Sequence, residues 1–538
     1  MLANRRDALK SLGIAPLALG APAAAHAGTP AHPTPGATWR AGLEGQRKAD
    51  LGNGTFLNPI LAGDHPDPSI LKDGADYYLT YSTFDAYPGL LIWHSRDLVN
   101  WKPVGPALVK NIGSVWAPEL CKHQGRYYIY IPTRKSAAAG SRNTSWVIWA
   151  DRIEGPWSAP VDLDLPNHID PGHAVGEDGS RWLFLSDGDR VRLSDDGLST
   201  VGKPEHIYDP WRYPDDWDCE AFSPEGPKIT RHGGYFYMIL AIGGTAGPPT
   251  GHMVIAARSR SIHGPWQHHP RNPLVRTGSA QERWWSRGHA TLVEGPGGDW
   301  WSVYHGYENG FWTLGRQTLL APVSWTGDHW LEFGGGDLSR PLPKPRGGQA
   351  GPHGLALSDD FSTDKHGIQW SFFNPAPDEA LRLRRADGTL HLAARGAAPS
   401  TSSPLLLMAG DQDYEFECEI DVEPGARAGL VLFYDSSLYC GVSFDAETIV
   451  THKYGIEHSR YRNPLGRRLF IRMRNMRHIV RVHLSADGKD WKRFERTFEV
   501  SGYHHNVRGG FLALRPGIFV AGKGEAHIRG FRYRVPQS

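Results

Sequence analysis

A short aromatic strand pattern recurs five times in the first two-thirds of the chain, as DYYLTYS near Tyr77, RYYIYIP near Tyr127, RWLFLSD near Trp182, YFYMILA near Tyr235 and DWWSVYHG near Trp300. Each copy follows a turn bearing Gly or Asp. Spacings of roughly 50 to 65 residues leave room for one four-stranded sheet per repeat, the mark of propeller blades. Two further echoes, ADRIEGPW around Gly155 and RSRSIHGPW around Gly264, fall at matching phases of their repeats. The expected fold is therefore all-β, with a five-bladed β-propeller over residues 55–340; a two-sheet sandwich of similar strand content is the alternative. Since 538 residues exceed what one core serves, a second domain is expected.

The Pro/Gly-rich segment 339–354, SRPLPKPRGGQAGPHG, ends the repeats, and a linker is placed at 341–356. Beyond it, YEFECEIDV, AGLVLFYD, RLFIRMR and HIVRVHLSADG alternate at strand period, so a β-sandwich is expected over 357–538. At the other end, NRRDALK, a mildly apolar stretch and Ala25-His26-Ala27 read as an export signal over residues 1–27. Arg5-Arg6 gives it a twin-arginine character, although Ala8 stands where that pattern carries a bulky apolar residue. A Pro/Gly/Ala-rich tether is expected over 28–54. The expected location is the periplasm or the medium, with no membrane span.

A formal net charge of +1 with no long run of like charge removes the footprint that non-specific nucleic-acid binding needs. Cys121, Cys219, Cys418 and Cys440 show no CxxC spacing, which argues against thiolate metal sites. Cys418 and Cys440 are expected to remain unpaired.

Three acidic residues stand in unusual settings: Asp67 in AGDHPDPSIL, Asp170 in NHIDPGHAV and Glu225 in SPEGPKI. Flanking prolines fix the backbone around them. Each precedes the aromatic strand of its repeat at the start of an innermost strand, a phase that converges on a propeller axis. Taken singly, such residues are ordinary turn formers. Together they are three carboxyls delivered to one cavity, and glycoside hydrolysis requires a carboxyl pair.

The runs NPILAGDHPDPSILKDGADYYLTYSTF, HSRDLVNW, SVWAPEL, EGPKI, GHATLVE and LGRQTLL resemble glycoside hydrolase family 43, particularly β-xylosidase-like members with a C-terminal concanavalin-like sandwich. That resemblance implies an inverting exo-glycosidase acting on oligosaccharides. Asp67 would be general base, Glu225 general acid, and Asp170 the residue that positions the acid and raises its pKa. It also implies aromatic walls at Phe84 and Trp116, a sugar-binding Arg316, and an axial His289 that in some members approaches a calcium ion. No cofactor is required. Ca²⁺ prefers oxygen ligands, so a purely structural His289 is an equal expectation, and His305 lies nearby in pattern. Glu220, in WDCEAFSPEGP, is the local rival for the acid role. Ile169 stands where xylosidase-like members carry an aromatic residue, which leaves xylose, arabinofuranose or another furanose open as the released sugar. A non-catalytic carbohydrate-binding protein is disfavoured by the three intact carboxyls.

Overall fold

The computed structural model describes residues 38–135 and 142–536; the expected export signal lies outside them. Five antiparallel sheets follow one another along the chain, and the recurring aromatic segments are the second strand of each: Asp76–Thr80, Arg126–Arg134, Arg181–Phe184, Tyr235–Ile242 and Trp300–Glu308. Tyr235–Ile242 is buried over nearly its whole length, because adjacent blades cover both faces. Aromatic and β-branched side chains suit such a strand. The first strands, Ser69–Asp73, Glu119–His123, Gly172–Val175, Glu225–His232 and Trp284–Glu294, contact one another in a closed ring. The sheets are therefore blades around an axis, as the repeat required.

Closure uses the chain's early residues. The Asn58 amide donates to Leu320 O (2.9 Å) and accepts from Leu320 N (2.8 Å), pinning the lead-in to blade one against the last blade. The two GPW echoes occupy the same turn, between the third and outer strands of blades two and four.

The C-terminal part is a sandwich of an eight-stranded and a seven-stranded sheet. In strand Asp413–Val422, the inward residues Tyr414, Phe416, Cys418, Ile420 and Val422 join the core. The glutamates between them face outward to arginines such as Arg472 and Arg529. Period-two patterning thus reads directly as inside and outside. Cys121, Cys219, Cys418 and Cys440 are all free thiols.

Two linker expectations change. From Trp39 onward the expected tether is packed: Arg40–Ala41 pairs with Arg47–Lys48. The Arg47 guanidinium bonds Glu308 (2.7 Å) and Gln317 (2.8 Å) of blade five, and Gly410 O (2.9 Å) of the sandwich segment. A nearly buried cation needs such partners, and they fix the segment. Likewise 341–356 is no free linker. Leu342–Pro343 pairs with Thr55–Phe56, and Lys344 bridges Asp50 and Asp97 at 2.8 and 2.9 Å. The domains also interlock, because Ala86–Tyr87 of blade one forms the last strand of the eight-stranded sheet, beside Ser371–Phe373.

Candidate active site

Each blade presents a residue at its innermost strand. Asp67 lies two residues before Ser69–Asp73, Trp116 three before Glu119–His123, and Asp170 two before Gly172–Val175; Glu225 opens Glu225–His232 and His289 lies within Trp284–Glu294. Asp67 (φ 54°), Asp170 (φ 56°), His289 (φ 59°) and Phe84 (φ 48°) all adopt left-handed backbone, at a typical cost of ~1–3 kcal/mol each. The prolines after Asp67 and Asp170 and the bulged register around Gly288 hold these conformations.

The side chains meet at a pocket of about 290 Å³ lined by Asp67, Phe84, Trp116, Asp170, Glu225, Thr245, His289, Arg316 and Phe511. Asp67 and Asp170 are 5% and 3% exposed, whereas Glu225 keeps more surface open to the pocket.

Asp67 is held by four groups. Ser82 Oγ donates to its Oδ2 (2.5 Å) and an Arg316 terminal nitrogen donates to its Oδ1 (2.7 Å). His289 Nδ1 lies 3.4 Å from the same Oδ1. The Asp67 N–H donates to His305 Nδ1 (3.1 Å), which leaves His305 Nε2 to donate to Thr245 Oγ1 (3.0 Å). Burial is the largest single effect and opposes the charge on Asp67, but Arg316, His289 and His305 together outweigh it and hold this carboxyl well below the usual carboxylate range. His289 and His305 are neutral, since burial pushes them down to about 3 and about 4.

The other two carboxyls go the opposite way. Burial, and then the charge of Asp67, push Asp170 up to about 7. Burial, Asp170 and Asp67 together hold Glu225 well above the ordinary glutamate range. One pocket thus contains an ionised carboxylate and a protonated carboxyl, the two states that acid–base cleavage of an acetal requires.

Glu220 acts on this arrangement only from outside, its charge raising Glu225 less than Asp170 and Asp67 do. It is exposed, outside the pocket lining, and its Oε2 accepts the Ala246 N–H at 3.0 Å. Three residues escaped the sequence reading. Ser82 ends the DYYLTYS repeat, whose aromatic pattern does not mark its hydroxyl, and Thr245 lies in a segment with no distinguishing motif. Phe511 comes from the sandwich, stacks on His505 (3.9 Å between ring centroids), and meets Trp116 edge-on at 5.5 Å. Four residues further on, Arg515 reaches Asp64, in the same loop as Asp67, at 3.4 Å. Asp64 also accepts the Arg316 N–H (3.2 Å), and burial raises its pKa to about 6.

His289 Nδ1 looks on the pocket carboxylates of Asp67 (3.4 Å) and Asp170 (3.9 Å), and its buried Nε2 has no hydrogen-bond partner among the described residues. Nearby, the Lys228 ammonium donates to Glu119 Oε2 (2.6 Å) and to the carbonyls of Pro118 and Pro171 (both 3.1 Å).

The chain matches Glycosyl hydrolases family 43 over residues 56–331, all five blades. It belongs to that family. Residues 358–534 match the β-xylosidase C-terminal concanavalin A-like domain. Among curated relatives of this family 43 glycoside hydrolase, a xylan 1,3-β-xylosidase of a Vibrio species is 29% identical over 71% of the chain and 77% of its own length. A non-reducing-end α-L-arabinofuranosidase of Bacteroides ovatus is 28% identical over 89% and 93%. The crystal structure of a xylan β-1,4-xylosidase from Bacillus halodurans superposes with a TM-score of 0.75 at 27% identity, covering 89% of this chain and 99% of that one. No helix among the described residues is long and apolar enough to cross a membrane.

Proposed function

We propose that this family 43 enzyme is an exported, exo-acting β-xylosidase that removes xylose from β-1,4-xylooligosaccharides with inversion. The opposite protonation states of Asp67 and Glu225 in one small pocket carry this reading. Asp67, ionised against Arg316, takes a proton from the attacking water. Glu225, kept protonated by burial and by Asp170, gives a proton to the departing glycosidic oxygen. The attacking water forms the new C1–O bond as the old one breaks, and the proton taken by Asp67 balances the one Glu225 releases. Phe84, Trp116 and Phe511 wall the sugar ring. The Arg316 side chain lines the pocket, where its guanidinium can meet a sugar hydroxyl. Export rests on the residue 1–27 pattern.

A second reading, α-L-arabinofuranosidase, is favoured by the long match to the Bacteroides ovatus relative and by aliphatic Ile169 beside Asp170. Turnover of nitrophenyl β-xyloside and nitrophenyl α-L-arabinofuranoside, with Asp67→Ala as the inactive control, decides between them. Proton NMR of the first-formed anomer tests inversion. Turnover of neither sugar, or retention, would overturn the reading.

A further inference from the structure

The outer face of the seven-stranded sheet carries a cluster that glycoside cleavage does not use. In the antiparallel pair Thr389–Ala393 and Glu525–Arg534, His391 stands directly opposite His527 and Ala393 opposite Glu525. Alternate residues share a face, so His391, His527 and Glu525 project together, while Leu390, Leu392, Ala526 and Ile528 enter the core. The imidazole centroids are 4.6 Å apart. Glu525 Oε1 lies 2.9 Å from His391 Nδ1 and 2.9 Å from His527 Nε2, and the three atoms fall within 4.8 Å of one another.

We propose that His391, His527 and Glu525 form a binding site for a divalent metal ion of the zinc class. Two imidazole nitrogens and one carboxylate oxygen are a donor set that Zn²⁺ accepts, with water free to complete a tetrahedron. Ligand atoms around tetrahedral zinc stand roughly 3.3 Å apart, given bond lengths of about 2.0–2.1 Å. The two N···O contacts need to open by a few tenths of an ångström, and the two imidazole nitrogens, within 4.8 Å of each other, to settle at the same separation.

Without a metal, Arg384 is the cation of the cluster, a terminal nitrogen lying 3.2 Å from Glu525 Oε1 as well as against His391. His391 Nδ1 faces both Glu525 Oε1 (2.9 Å) and an Arg384 terminal nitrogen (2.6 Å). Guanidinium groups only donate and carboxylates only accept, so one ring nitrogen cannot satisfy both. A cation bound to Nδ1 and Oε1 removes the conflict if Arg384, whose side chain is 58% exposed, turns to solvent. Acidic groups also face the cluster: Glu423 Oε1 lies 4.0 Å from His527 Nε2, while Asp421, across the sheet from His527, is engaged by Arg467 at 3.2 Å. Bound there, the ion would clamp the C-terminal strand to its neighbour.

The test titrates chelator-treated full-length protein with Zn²⁺ by calorimetry, following the thermal midpoint and turnover of an aryl glycoside. The expected result is one saturable equivalent that raises the midpoint and leaves turnover unchanged, with affinity falling at least about tenfold in His391→Ala and in His527→Ala. Glu525→Gln, nearly isosteric, gives a third variant should either alanine disturb folding. Asp170, Glu225 and His289 also lie within 4.8 Å of one another. Zinc held there would inhibit turnover and survive the sandwich substitutions. That pattern, or no saturable uptake by the unmodified protein, overturns the proposal.

Discussion

The two halves of the molecule bury different things at their centres. Around the propeller axis lie Asp67, Asp170, Glu225, Lys228, Glu119, Arg316, His289 and His305, nearly all withdrawn from water. The main cluster between the sandwich sheets is apolar, made of residues such as Leu430, Ile471, Val480 and Ile528. Apolar burial stabilises a fold, whereas uncompensated buried charge opposes it, so the axial groups must be satisfied pairwise. The sandwich shows what a β core looks like when stability alone shapes it. The propeller axis shows the same material arranged to hold carboxyls in opposite protonation states.

The contrast is tested most severely at Glu225. Glu225→Gln should lower turnover of unactivated xylooligosaccharide on the order of 10²–10⁴-fold, while an aryl glycoside with a good leaving group loses much less, because it needs little protonation. Glu220→Gln should change either rate by less than about twofold, as expected of a surface substitution. Kinetics of both variants on both substrates measure this. Equal losses at the two positions would remove the distinction between axis and rim.

Asp170 gives the next effect, in the pH profile. Activity requires ionised Asp67 and protonated Glu225, so kcat/KM should fall on the acid side only below the usual carboxylate range. On the alkaline side it falls as Glu225 loses its raised proton. Asp170→Asn removes the like charge that keeps that proton in place. The alkaline limb should move to lower pH while the acid limb stays. An unmoved alkaline limb would show that burial and Asp67 set the acid without Asp170.

How much of this was legible follows from what is local in sequence. The aromatic period marks one strand per blade, and a residue at or just before the start of an innermost strand reaches the axis, so Asp67, Asp170 and Glu225 were visible together. Arg47 was not, because its acceptors Glu308, Gln317 and Gly410 lie more than 250 residues away, and the Gly/Pro/Ala composition around it is that of a tether. Phe511 was invisible for the same reason. It lies in irregular chain with no period to place it, and only the docking of sandwich on propeller, through pairs such as Asp64 and Arg515, brings it over the pocket.

That docking predicts a middle-sized effect. Phe511→Ala removes one aromatic wall while leaving every axial charge in place. KM for the aryl xyloside should rise roughly 2- to 12-fold, the equivalent of the ~0.5–1.5 kcal/mol typical of an aromatic contact, with kcat little changed. A loss confined to kcat would mean that Phe511 acts on the acid or base and not on the ring.

The smallest effect on turnover should come from the sandwich core itself. Leu430 is fully buried in the strand Ala426–Asp435, in the apolar cluster that also includes Phe84 and has Trp116 and Phe511 packed against it. Leu430→Ala leaves a cavity and should cost about 2–5 kcal/mol of stability, read as a lower denaturant midpoint. Well below the new thermal midpoint, kcat/KM should match that of the unmodified enzyme, because the loop that places Phe511 is held by its own bonds, including Leu514 N to Thr313 O at 2.9 Å and Phe511 N to His505 Nδ1 at 2.9 Å. If kcat/KM fell in step with stability, the apolar core would be setting the geometry of the pocket, and the division between a stabilising half and a reacting half would not hold.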